Sequence, residues 1–372
     1  MKLFKSLLVA PATLGLLAPM TASANEVTIN DFNAAEEIAV TNSRIDGLEA
    51  RFNNLEAGSF SETTTASFGV DFTVGAEDGA TSEAVSFGYQ MGIGLETSFT
   101  GEDSLDISLD SGNAGVSGID EFGGDNTTVP TTDVDGIAVD GVAYTFPIGD
   151  STTAFVGFDS DGSSLFTTAC VYGGPGDMLD DCGNVNAGIT GGGATVGAAY
   201  DFGTGLTAAF GAQTTESAVF TDESLDAYAL NAAYTADSYG VSVTYGVVET
   251  STTNEDTYTA FNAYYLPEGS GLPSVSVGYE IGDIGGAAAT VDEKTSFMVG
   301  LSWDEVGPGA AGVAVGHSST VEGTDEAYQY EVYYSYPIND GMTITPLIYS
   351  KDVATSGKDD STGVMVKTSF SF

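Results

Sequence analysis

The chain has 372 residues and a formal charge of −45, with 42% hydrophobic residues, 49 Gly, 20 Phe and 18 Tyr. Such aromatic content excludes an acidic disordered chain, which could not bury enough apolar surface to fold, and the scarcity of Lys and Arg argues against a nucleic-acid partner. No apolar run beyond the N-terminus approaches the roughly 18 residues of a membrane-spanning helix, so a membrane-embedded form must be a closed barrel.

Residues 1–24 carry Lys2 and Lys5, an apolar stretch from Leu7 to Met20, and a small-residue cleavage site at Ala22-Ser23-Ala24. This is the pattern of a secretory signal peptide. Its removal takes the formal charge from −45 to about −47 and exports the mature chain to a compartment where disulfides persist.

From Asn33 to Glu56 the hydrophobic period changes. Ile38, Ile45 and Phe52 recur seven apart, Leu48 and Leu55 fill the intervening positions, and Thr41 is the polar exception. The spacing predicts a short amphipathic helix in heptad register. About three heptads are marginal alone, so the helix either packs on its own barrel or joins the subunits of an oligomer. The expected organisation is signal peptide 1–24, helical segment 25–57 and β-barrel 58–372.

Beyond residue 58 the period is two. Phe68, Val70, Phe72 and Val74 form one apolar row, and Val85, Phe87, Tyr89, Met91, Ile93, Leu95, Thr97 and Phe99 form an unbroken second. Similar rows recur to Tyr330-Val332-Tyr334-Tyr336, while the opposite parity is small or polar. Short turns follow aromatic residues: Phe99 precedes TGED, Phe146 PIGD, Tyr200 DFGTG, Tyr234 TADSYG, Tyr265 LPEGSG, Trp303 DEVGPG and Tyr336 PINDG. Aromatics gathered before tight turns mark a membrane-interface girdle. Longer polar connections lie near 77–82, 111–135, 160–190, 215–224, 250–256, 282–293, 320–325 and 352–361. The count predicts an all-β protein, a transmembrane antiparallel barrel of about sixteen strands preceded by a short N-terminal helix, wide enough for an aqueous channel. A soluble sandwich also alternates, so a secreted structural or adhesive β protein is the competing class.

The last strand carries Val364, Val366, Thr368, Phe370 and Phe372 on one face. A terminal aromatic with nothing after it suits the strand that closes a barrel at the lipid interface.

Acidic residues on the inward parity are Asp71, Glu96, Asp106, Asp110, Asp201, Glu280 and Glu331. Carboxylates facing a narrow lumen favour cations, which predicts a cation preference; the alternative is acidity that only keeps the surface soluble. Cys170 and Cys182 enclose YGGPGDMLDD, and an even cysteine count in an exported chain favours a disulfide over thiol metal ligands. Asp133-Val134-Asp135-Gly136 and Asp159-Ser160-Asp161-Gly162 open like calcium loops, but Tyr144 and Cys170 stand where a bidentate Glu is needed. They read as solvated acidic loops with at most weak Ca²⁺ or Mg²⁺ binding, and no cofactor or dedicated metal is expected. The single histidine, His317, shares the apolar parity of Val313 and Val315, and no nucleophile–base pair emerges, so no enzyme is expected.

The stretches KLFKSLLVAPATLGLLAPM, SRIDGLEARFNNLEA, LETSFTGEDSLDISLDSGN and GVMVKTSFSF together resemble the porins of the cyanobacterial outer membrane, related to the OprB-type carbohydrate-selective porins. The resemblance implies a trimeric diffusion channel for small hydrophilic solutes, some members serving inorganic ions including iron. It also implies an outer-membrane chain surrounded by lipid, inserted by the barrel-assembly machinery, with both mature termini periplasmic. In general porins the third outer loop folds into the channel. Asp177, Asp180 and Asp181 would then stand at a constriction, or else the loop caps the outside. Two departures stand out: the interval 25–37 is too short for the surface-layer-homology domain that members commonly carry, and Asp106 and Asp110 replace an Arg-rich hairpin.

Overall fold

The structure, a computed structural model, describes residues 64–372 apart from 80–83, 113–135, 177–178, 180, 216–218, 220, 222–224, 270, 287–290 and 353–359. The expected signal peptide and the expected heptad helix bearing Ile38, Ile45, Leu48, Phe52 and Leu55 lie outside the described residues. Sixteen strands follow in order: β1 (Thr64–Asp78), β2 (Ser86–Thr97), β3 (Ser104–Gly112), β4 (Ala138–Ile148), β5 (Thr152–Phe158), β6 (Ala194–Asp201), β7 (Leu206–Thr214) and β8 (Asp226–Thr235). The second half comprises β9 (Tyr239–Ser251), β10 (Asn254–Tyr265), β11 (Ser274–Asp283), β12 (Glu293–Val306), β13 (Gly309–Val321), β14 (Gln329–Asn339), β15 (Met342–Lys351) and β16 (Ser361–Ser371). Each pairs antiparallel with its sequence neighbours, and β16 pairs with β1 to close the barrel.

Burial is inverted relative to a soluble protein. Phe261, Val332 and Ile348 are 53%, 54% and 59% exposed on the outer face, whereas Thr244 and Ser296 are 0% and Glu280 1% exposed inside. In β9 the exposed positions Tyr239, Val241, Val243 and Tyr245 alternate with buried Gly240, Ser242, Thr244 and Gly246. An apolar band wrapping a polar interior satisfies every strand hydrogen bond inside the wall and suits hydrocarbon outside, so the barrel is transmembrane.

Aromatics ring the turn end. Tyr200 packs on Phe202 at 4.7 Å, Tyr144 on Phe146 at 5.4 Å and Tyr234 on Tyr239 at 6.0 Å. In the β12–β13 turn Gly307 takes φ +66°, a left-handed conformation costly for residues with a Cβ. The β9–β10 connection is tighter than the sequence suggests. Strand pairing extends to Ser251 and Asn254, leaving Thr252 and Thr253 as the turn, with the Asn254 amide donating to Ser251 Oγ at 3.1 Å. At the loop end His317 is buried on the outer face, its ring 5.0 Å from Phe297 and 5.7 Å from Tyr328, with Nδ1 2.9 Å from Thr320 Oγ1.

Closure involves the last residue itself. The Phe68 amide donates to the Phe372 carbonyl at 2.9 Å, the Phe372 amide returns the bond at 3.0 Å, and Ser371 donates to Gly341 O at 3.1 Å. The Phe68 and Phe372 rings stack at 5.6 Å, and Val364, Val366, Thr368 and Phe370 stand opposite Ala76, Val74, Phe72 and Val70 of β1. Three terminal bonds at about 1 kcal/mol each make deletion of Phe370–Phe372 worth roughly a hundredfold in the folding equilibrium. Heat-modifiable migration on a detergent gel measures it; an unchanged folded band would show that closure does not need this end.

Candidate functional site in the barrel lumen

Residues 159–193, between β5 and β6, leave the wall and return at one place. The Asp159 amide donates to Gly193 O at 2.8 Å, and the Gly193 amide donates to Asp159 Oδ1 at 3.1 Å. Between those ends the described residues of the segment lie inside the barrel, where their backbone polar groups must find partners. Inward side chains supply them. Asn231 of β8 accepts from the Thr167 amide at 3.1 Å, Ser242 of β9 from Ala169 at 2.9 Å, and Ser276 of β11 from Val171 and Tyr172 at 3.0 Å. Asn262 of β10 donates to Cys182 O at 2.8 Å, and Tyr333 of β14 donates to Gly173 O at 2.9 Å.

Glycines on the inner wall let the loop press close. A Cβ at Gly278 would fall on the Cys182 carbonyl, one at Gly211 on the Gly162 carbonyl, and one at Gly246 against Ala187. Cys170 and Cys182 are joined in a disulfide, with Cα atoms 6.3 Å apart. Beneath it Tyr172, Leu179 and Cys182 pack on Met298, Ala314, Tyr333, Leu347, Tyr349 and Met365, all inward-facing. The expectation of a small or polar inner parity fails on these strands because loop, not water, covers them. Burying a side chain such as Leu179 or Leu347 stabilises the packing by about 1.5–3 kcal/mol.

The seven inward carboxylates divide by environment. Glu280 is not at the water's edge: its Oε2 accepts from the Asn186 and Ala187 amides at 2.9 and 2.8 Å, and its Oε1 from Asn186 Nδ2 at 2.6 Å. Glu331 is likewise buried and accepts the Tyr172 hydroxyl. Burial, then the Glu331 charge, pushes the Tyr172 phenol well above its ordinary range, so it remains a donor. Both expected pore-lining positions are corrected to loop anchors, because the strand parity that turns a carboxylate inward does not reveal what lies in front of it. Asp201 ends β6, where Oδ1 accepts the Gly203 amide at 2.8 Å and shapes a turn.

The other four share one wall. Asp71 of β1 lies 3.7 Å from Lys367 of β16, a lumenal partner that sequence reading overlooked. Glu96 of β2 stands opposite Asp106 of β3, whose Oδ2 accepts from Ser104 Oγ at 2.7 Å. Asp110 stands opposite Gly92. A concavity of about 470 Å³ opens here, lined by Ser67, Gly69, Gln90, Gly92, Gly94, Ser108, Asp110 and Asp140. Asp140 was also missed; the bulge between Ser108 and Leu109 shifts the β3–β4 register. Below, in the β2–β3 turn, Asp103 accepts from Tyr144 Oη, the Phe99 and Thr100 amides, and two hydroxyls, and the Tyr144 bond leads in holding its carboxyl well below the usual range.

On the inner loop Asp181 is exposed, while Asp177 and Asp180 lie outside the described residues. Of the calcium-like stretches, Asp133 to Asp135 are also outside them, and Asp159 is engaged at the loop base.

No protein-family model matches this sequence. A protein of Nostoc sp. (strain PCC 7120) described as uncharacterized is 25% identical over 434 residues, covering 98% of this chain and 75% of the relative. The fold is similar to that of solved Rhodopseudomonas blastica porin mutants: one superposes with a TM-score of 0.55 at 13% identity, covering 83% of this chain and 100% of the porin. A second such mutant gives 0.54 at 14% identity with the same coverage. A structure described under asymmetric conductivity of engineered proteins gives 0.52 at 12% identity, covering 83% and 100%. At these identities the likeness establishes the fold.

Proposed function

We propose that this chain is an outer-membrane porin: a water-filled channel for passive diffusion of small hydrophilic solutes and inorganic ions, with a preference for cations and no catalytic role. One observation carries the reading. A transmembrane barrel encloses a polar, glycine-rich wall on β1–β4 that bears Asp71, Glu96, Asp106, Asp110 and Asp140. Such a wall offers hydrogen bonds to hydrated solutes, and its carboxylates attract cations in a low-dielectric tube. The outward apolar band argues against a secreted adhesive protein, because water would meet a continuous exposed hydrophobic surface. The likeness to cyanobacterial and OprB-type porins supports sugars and iron-bearing ions as solute classes. It also supports insertion by the barrel-assembly machinery, short turns and both mature termini on the periplasmic side, and a trimer joined through the heptad segment. Cross-linking checks that number: a ladder ending at three is expected, and a monomer alone contradicts it.

Reversal potential in a planar bilayer under a KCl gradient tests the ion preference. A cation-selective sign is expected, moving toward zero in Asp106→Asn/Asp110→Asn. A value near zero or of anion-selective sign in the unsubstituted chain would overturn it.

A further inference from the structure

We infer that solutes cross the barrel along a crescent confined to the β1–β4 wall, with Gly92 setting its width and Asp110 the charge it presents beside the Asp71–Lys367 pair; this rests on the channel reading above. Two groups among the inner-wall glycines carry the inference; at others, such as Gly94, Gly312 and Gly363, a neighbouring strand's side chain takes the space. At Gly211, Gly246 and Gly278 the space a Cβ would take is filled by the inner loop, through Gly162, Ala187 and Cys182 respectively, and at Gly316 by the Phe297 carbonyl of β12 together with Leu179 of the loop. At Gly92 no atom of the described residues lies within 4 Å of that position, and at Gly69 the nearest is the Phe370 carbonyl of the adjoining strand at 3.9 Å. The described part of the loop therefore packs along the wall from β7 round to β16 and leaves the inner face open at the level of Gly69 and Gly92, below the buried Thr73 and Glu77 of β1.

The register makes this bare surface continuous. Gly69 stands opposite Gly92 and Gly92 opposite Asp110, so two adjacent strands present no side chain at one level and the third presents a carboxylate. With strands about 4.8 Å apart, the side-chain-free floor is roughly 10 Å wide. On β1 the next inward residue toward the loop end is Asp71, opposite Gln90 and held 3.7 Å from Lys367. A solute moving over this floor meets backbone, an amide, the Asp71–Lys367 ion pair and the Asp110 carboxylate, whereas the apolar cluster around Tyr172 and Leu179 is buried between the loop and β12–β16, out of its reach. Width is thus set by the absence of a side chain at Gly92, and any side chain placed there projects into the path.

Cysteine modification in planar bilayers tests this on the full-length chain with its disulfide intact. A Gly92→Cys thiolate attacks the thiosulfonate sulfur of a methanethiosulfonate reagent, forming a mixed disulfide and releasing methanesulfinate. Modification is expected to lower conductance about twofold or more, with the trimethylammonium reagent reacting about tenfold faster than the sulfonate one. Gly69→Cys, one strand away, is the second variant should the first fail to fold. Ala314→Cys, on β13 and 2% exposed beneath the loop, is expected to stay unmodified. Unchanged conductance after modification confirmed by mass, or block at Ala314→Cys instead, would overturn the crescent path. Equal rates for the two reagents would overturn the charge assignment. A folded, unsubstituted chain that does not conduct would fail at the channel reading itself, an outcome distinct from these.

Discussion

Replacing residues 162–190 with a short Gly-Ser linker is expected to raise single-channel conductance about two- to threefold, toward that of an empty sixteen-stranded tube. The ends permit the operation, since Asp159 and Gly193 are already hydrogen-bonded to each other. Excision would return to water the inner surface that now meets Tyr172 and Leu179, including Met298, Leu347 and Met365. It would also uncover Glu280 and Glu331, so cation selectivity is expected to rise together with conductance. The exposed apolar patch lowers barrel stability, which heat-modifiable migration would report independently. An unchanged conductance in a folded variant would mean that the loop does not narrow the path.

Glu280→Ala is expected to loosen the loop while leaving the wall intact. The carboxylate accepts from the Asn186 and Ala187 amides and from the Asn186 side chain. Its loss strands buried donors at about 1–3 kcal/mol each, so docking should weaken by about 3–5 kcal/mol. Hydrogen exchange across residues 184–190 is then expected to accelerate by about a hundredfold or more, while exchange in β11 changes little. Glu280→Gln keeps one acceptor oxygen and should fall between. Unaltered exchange in Glu280→Ala would assign docking to the apolar cluster and disulfide alone.

Strands were legible because lipid and lumen impose opposite chemistry on alternate residues, as in the Tyr239-to-Gly246 run of β9. Turns were legible through Gly, Asp and Pro after an aromatic. The β9–β10 connection misled because Thr252 and Thr253 belong to a polar Ser/Thr/Asn run that continues a strand as readily as a loop. The loop's inward fold was one of two alternatives that the resemblance implied, but its docking was not legible, since its partners Asn231, Ser242, Ser276 and Glu280 come from separate strands and look like ordinary lumenal polar residues. Two signals were available. Met298, Leu347 and Met365 occupy an inward parity that water alone would not favour, and Gly211, Gly246 and Gly278 repeat on inner positions where the loop now lies. Parity assigned Glu280 and Asp110 to the same face; packing put one under protein and the other beside an open concavity.

Swelling of proteoliposomes in isosmotic solutions of a pentose, a hexose and a disaccharide tests the central claim most directly. A lumen partly filled by the inner loop yet open along β1–β4 predicts swelling with all small solutes, fastest for the pentose and slowest for the disaccharide. Swelling no faster than in protein-free liposomes, from barrels shown to be folded by heat-modifiable migration, would contradict it.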